Sequence, residues 1–131
     1  MNMAELELLC DGFLGAWTEQ NVEKVAAFYT DDVVYRDPNT RGDVRGGDAL
    51  RRYLRRLFSE WRMTWTRREL HPTDTGAAAA LLWHATFSKA AGEQVVEADG
   101  MDLLEFRDGR VSRNEVYFDR TVLAALLSPT K

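Results

Sequence analysis

The sequence predicts an α+β fold in which a strongly curved antiparallel sheet wraps around N-terminal helices and leaves a conical internal cavity. Two observations predict it. Apolar residues recur at steps of three and four as far as Trp61, and beyond it they alternate. The alternating stretches are long and joined by short turns, one of them the Asp-Gly hairpin of RDGR. Helices followed by hairpin-linked strands must bury one sheet face against those helices. A curved sheet over helices leaves a natural place for a small apolar ligand.

Leu6, Leu9, Cys10, Phe13, Leu14 and Trp17 define the apolar stripe of a helix over 4–18. Asn21 can cap a second helix whose stripe is Val22, Val25, Ala26 and Tyr29. A short strand is expected over 33–36, then a loop, DPNTRGDVRGG, rich in residues that suit turn geometry. A third helix over about 48–60 turns Leu50, Tyr53, Leu54, Leu57, Phe58 and Trp61 inward and its arginines outward. Alternation then predicts strands over 62–70 with Met63 and Trp65 on one face, and over 80–87 with Leu81, Trp83, Ala85 and Phe87 inward. Strands over 94–107 and 110–119 flank the RDGR turn, and RTVLAALL closes the chain as a short helix.

A chain of 131 residues is read as one domain, 1–131. With 45% hydrophobic and 29% charged residues it can fill a core and stay soluble. Its net charge of −4 argues against nucleic-acid binding, and no apolar run approaches the roughly 20 residues that cross a membrane. The cluster Arg51, Arg52, Arg55 and Arg56 reads as a solvated helix face, with an anionic partner as the alternative. MNMAELELLCDG lacks the pattern of a secretory signal, and the single Cys10 allows no internal disulfide, so a cytoplasmic location is expected. The two histidines, His71 and His84, are separated and lack an evident acidic pair, so no metal site is expected. His84 falls on the polar face of its strand and is assigned to a surface or dimer interface.

The carboxylates carry the chemistry. Alternation in VEADGMDLLEF puts Val96, Ala98, Gly100, Asp102, Leu104 and Phe106 on one face, and only Asp102 among them is acidic. A core-facing acid must be partnered or protonated, and desolvation raises its pKa. A protonated Asp can donate a hydrogen bond at neutral pH; alternatively Asp102 is an internal acceptor. In VVYRDPN the inward parity of Val33 and Tyr35 extends to Asp37, with Pro38 fixing the backbone behind it. Asp37 is either a turn residue or one half of a proton-transfer pair with Asp102.

FYTDDVVYRDPN, GGDALRRYLRRLF and ADGMDLLEFRDGRV resemble the nuclear transport factor 2-like superfamily, and within it the SnoaL-like polyketide cyclases and the ketosteroid isomerases. The resemblance covers nearly the whole chain in element order. It implies a cone-like fold, a homodimer formed through the outer sheet face, no cofactor, and a small apolar or aromatic ligand in the cavity. It places Asp37 where the isomerases carry their base, and Asp102 where they carry a protonated acid that binds the enolate oxygen. Phe13 stands where they carry a second oxyanion donor, a Tyr, so ketosteroid isomerase activity itself is not expected. Tyr53 or Tyr35 could substitute, and Trp17 narrows a steroid-sized space. The water-activating set of limonene-type epoxide hydrolases maps onto Trp83, Ala85 and Val116, which excludes that chemistry. The cyclases carry a base near the end of the last strand, where Asp119 is the nearby candidate; as a helix N-cap Asp119 is equally explained.

The expected site is therefore Asp37 and Asp102, surrounded by Phe13, Trp17, Tyr35, Tyr53, Leu57, Trp61, Trp83, Phe106 and Asp119. Two functions fit: cofactor-independent acid–base chemistry on a small apolar carbonyl compound, or a non-catalytic module of the same fold that binds a ligand or dimerises.

Overall fold

The computed structural model describes residues 1–127. The helix α1 spans Met3–Glu19, capped by Asn2, whose Oδ1 accepts from Glu5 N at 2.8 Å. It buries Leu6, Cys10, Phe13, Leu14, Ala16 and Trp17, the stripe that its spacing predicts. It ends at Gln20, in the left-handed conformation at φ 57°.

The helix α2, Val22–Ala26, is shorter than expected, and Tyr29 opens a strand instead of closing a helical stripe. Tyr29 pairs with Val111, and Val111 N donates to Phe28 O at 2.8 Å, so the sheet claims the chain here. The strand β1 therefore runs Tyr29–Arg36, and its pairing shifts register between Tyr29 and Val34. Within the expected loop, β2 (Val44–Arg45) pairs antiparallel with Val34 and Tyr35. The helix α3 (Gly47–Glu60) buries Leu50, Leu54 and Phe58.

Four strands follow: β3 (Trp61–Pro72), β4 (Ala78–Lys89), β5 (Val96–Arg107) and β6 (Arg110–Tyr117). The curved, unclosed sheet has the order β2-β1-β6-β5-β4-β3. Its pairings are antiparallel except β1 with β6, which are joined by most of the chain rather than by a hairpin. Between β5 and β6, Asp108 and Gly109 have φ of 53° and 76°, the pair of positive values that a two-residue hairpin turn requires. A 3-10 turn (Arg120–Leu123) and the short helix α4 (Ala124–Leu127) complete the described chain.

One core fills the space between the helices and the inner sheet face. In β4, Leu81, Trp83, Ala85 and Phe87 are buried, and Leu82, His84 and Thr86 are less so, as alternation requires. In β3 an extra residue between Arg67 and Glu69 returns Leu70 to the core.

Candidate active site

A pocket opens between the helices and the inner sheet face. Counting its mouth, it encloses about 560 Å³ of empty space. Trp17 and Leu14 from α1, Leu57 from α3, and Trp61, Met63 and Trp65 from β3 form its apolar wall. Phe87, Val116, Phe118 and Leu123 close it on the other side. Asp37, Asn39, Asp102 and Asn114 supply the polar side chains, with the Tyr35 phenol beside Asp37.

Asp37 lies just beyond β1, half-buried at the rim. Its Oδ1 accepts from the backbone N of Asn39 at 2.7 Å and of Thr40 at 3.1 Å, the side-chain turn that an Asp before Pro readily forms. Its Oδ2 accepts from the Tyr35 hydroxyl at 2.7 Å and from the Tyr53 hydroxyl. Asp37 is thus both a turn residue and part of the pocket wall. Burial, then the Asp37 charge, pushes the pKa of both tyrosines up, so both phenols stay protonated and donate.

Asp102 sits midway along β5 and is 5% exposed. Its Oδ1 accepts from Trp83 Nε1 at 3.2 Å. Burial raises its pKa to about 7, opposed by the Trp83 indole and the nearby Asn114 amide, with the Asp37 charge adding to the rise. Trp83 is paired across the strands with Gly100, which leaves its ring free to lie over β5 and reach Asp102 two residues on.

Trp17, Tyr35, Leu57, Trp61, Asp37 and Asp102 all line this one space. Tyr53 joins it through Asp37. Phe13, Trp83, Phe106 and Asp119 lie off the pocket wall. Phe13 is fully buried and packs edge-on against Trp17, Phe28 and Tyr29, at ring distances of 6.5, 5.9 and 5.6 Å. Trp83 is also fully buried, behind Asp102. Phe106 pairs with Val111 at a register shift and only partly joins the core. Asp119 is exposed and caps the 3-10 turn, its Oδ1 accepting from Thr121 N at 3.0 Å, which lowers its pKa. Asn114 was missed. It follows the same rule that exposed Asp102, a polar residue on buried parity, but an extra residue at Ser112 disturbs the alternation of β6 and hides it.

His84 lies outside the site. It is held between Asp99 at 2.8 Å and Glu97 at 2.9 Å on the opposite sheet face, and those carboxylates raise its pKa. Among the described residues no group of three His, Cys, Asp or Glu could hold a metal ion, and no helix is long and apolar enough to cross a membrane.

A curved six-stranded sheet packed on N-terminal helices places the molecule in the nuclear transport factor 2-like superfamily. The family model of the SnoaL-like domain matches residues 11–114, and the chain belongs to that family. Among solved structures, it is similar to a polyketide cyclase candidate from Xanthomonas campestris pv. campestris, at 18% identity and a TM-score of 0.84 over 98% of this chain and 100% of that one. It is also similar to an LEH-like epoxide hydrolase from M. tuberculosis, at 24% identity and a TM-score of 0.77, over 95% of this chain and 90% of that one. A ketosteroid isomerase-like protein from Erwinia carotovora atroseptica SCRI1043 shares 22% identity at a TM-score of 0.71, over 88% and 95% of the two chains. At these identities the likeness is one of fold. No curated protein matches the chain.

Proposed function

We propose that the pocket performs cofactor-independent acid–base chemistry on a small, largely apolar carbonyl compound, by isomerisation, cyclisation or dehydration. The observation that carries this reading is the pairing of unlike carboxyls in one space. Asp37 accepts four hydrogen bonds at the rim. Asp102 is buried, with a pKa raised to about 7, so a large share is protonated at neutral pH. An ionised acid can take a proton from the carbon beside a carbonyl, and a neutral acid can donate to the oxygen on which charge develops. To accept a proton, Asp37 must release one tyrosine. Tyr53, whose ring lies 5.6 Å from that of Tyr35, is the one that leaves it.

The SnoaL-like family and the isomerase-like and cyclase-like neighbours support this class of reaction. The epoxide hydrolase neighbour does not extend it: the positions onto which the resemblance approximately maps that water-activating set hold Trp83, Ala85 and Val116, none of which can activate water. A homodimer through the outer sheet face and a cytoplasmic location belong to the same proposal.

The test is deuterium uptake by small enones and β-diketones in heavy water, read by mass spectrometry. Asp37→Asn should lower the exchange rate by at least about 100-fold, and Asp102→Asn by on the order of 10²–10³. Exchange undiminished in Asp37→Asn would remove it as the base. A non-catalytic binding module is the second reading, favoured by Phe13, which stands sealed in the core where the resemblance implies an oxyanion Tyr. Ligand binding without exchange by any ketone would select it.

A further inference from the structure

The inner end of the pocket carries donors that no protein group satisfies. Among the described residues, three buried side-chain polar atoms lack a hydrogen-bond partner: Trp17 Nε1, Trp65 Nε1 and Asn114 Nδ2. All three residues line the same pocket. Buried polar atoms are rarely left unpaired, so three in one small space mark a place where acceptors are expected from outside the protein.

Asn114 is the best defined of them. It is fully buried, and its Oδ1 accepts from the Tyr29 hydroxyl at 2.7 Å. Tyr29 is itself buried, and burial keeps its phenol protonated far above neutral pH, so it remains a donor. That bond orients the amide: Oδ1 faces Tyr29, and Nδ2, without a hydrogen-bond partner in regular geometry, lies toward Asp102. Asn114 pairs across the strands with Leu104, and Val116, two residues on, pairs with Asp102. Asn114 and Asp102 are thus diagonal neighbours on the inner face, close enough that the amide favours the ionised acid. At the rim, by contrast, Asp37 presents an acceptor.

We propose that Asn114 Nδ2 and Asp102 together form the binding site for one ligand oxygen, a carbonyl or the enolate or phenolate derived from it, at the inner end of the pocket. Asn114 then supplies the second donor that Phe13, sealed in the core, cannot. The ligand enters oxygen first. Its ring lies among Trp17, Trp65, Phe87 and Phe118, and the atom that loses a proton faces Asp37. The naming of this oxygen as the reacting one rests on the acid–base reading; the binding site itself does not.

Equilibrium binding tests it without turnover. 2-Naphthol carries one acceptor oxygen on a flat ring, and naphthalene is its oxygen-free control. Both are titrated against wild type and Asn114→Leu, with thermal melting to check folding. The Asn114 side-chain amide is followed by ¹⁵N NMR in the wild type, a readout that needs no variant. 2-Naphthol should shift that amide and naphthalene should not. Asn114→Leu should weaken 2-naphthol by about tenfold or more, as loss of one buried hydrogen bond implies, and leave naphthalene unchanged. An unmoved amide with 2-naphthol bound, equal weakening of both probes in Asn114→Leu, or no binding of 2-naphthol at millimolar concentration would each overturn the site. Intact naphthol binding through Asn114 together with absent ketone exchange would instead remove only the catalytic reading.

Discussion

Gly100 shows how a residue with no side chain supports the chemistry of its neighbours. A Cβ there would fall on the outer edge of the Trp83 ring and 2.7 Å from Tyr117 O, so any larger residue must move either an indole or a strand. Among the described residues, Trp83 is the one hydrogen-bond donor that Asp102 has in regular geometry. Gly100→Ala should therefore act in two ways. Overpacking should cost about 1–3 kcal/mol in urea unfolding. The displaced indole should release Asp102, whose pKa then rises further, because the Trp83 bond is the largest influence holding it down. Near-ultraviolet circular dichroism, with unfolding in parallel, would show a shifted Trp83 together with lost stability; a silent substitution would mean that β5 and β6 yield easily. At this scale the acids were legible and their partners were not. Asp102 stood out because it interrupts an apolar parity, and Asp37 because it ends one. Asn114 did not, because the spacing from Val111 to Asn114 is odd where even spacing was expected.

The elements are held in register by a few polar clips, and these set the shape of the pocket. Gln20 ends α1, and its side chain reaches the junction of α3 and β3: Nε2 donates to Trp61 O at 2.9 Å, and Oε1 accepts from Met63 N at 2.8 Å. Two residues earlier, Thr18 Oγ1 accepts from Trp65 N at 2.9 Å. These bonds fix α1, and with it Trp17, against the strand that presents Met63 and Trp65 to the pocket. Gln20→Ala should lose about 1–3 kcal/mol, since it leaves part-buried backbone groups unpaired. Gln20→Gly should lose less, because Gly accepts the positive φ of 57° without strain. Equal losses, measured by urea unfolding, would mean that the backbone conformation at this cap contributes nothing. The clip explains a limit on prediction. Long elements such as α1, α3 and β4 were readable because their burial repeats over many residues. β2, two residues long, and the first half of β1 have no such repeat, and pairing with distant strands decides them.

For the whole molecule, burying Asp102 costs stability in a way that depends on pH. Below about pH 4 the acid is protonated in both folded and unfolded chains, and the cost vanishes. Between its usual value of 3.8 and about 7, the unfolded chain ionises it while the folded chain keeps its proton. Stability therefore falls as pH rises through that window and levels off above it. A rise from 3.8 to about 7 corresponds to an upper bound of roughly 4 kcal/mol. Other groups titrate nearby. His84, with its pKa raised by Asp99 and Glu97, also gives stability that is lost as pH rises, while Asp32, Asp99 and Glu115, with lowered values, lose theirs as pH falls. They lie at or near the surface and are screened by solvent. They also stay in place in Asp102→Asn, which removes only the buried acid while keeping its shape. The difference between variant and wild type thus isolates Asp102. It should favour the variant increasingly from about pH 4.5 to about pH 8 in urea unfolding, reaching a few kcal/mol at most. A difference that stays flat across this range would mean that Asp102 is ionised throughout in the folded protein. It could not then donate to a ligand oxygen, and Asn114 would be the only donor of that pair. The same acid that weakens the fold at neutral pH is the one whose proton the proposed chemistry uses, so the stability curve and the binding of an oxygen acceptor should change over the same pH interval.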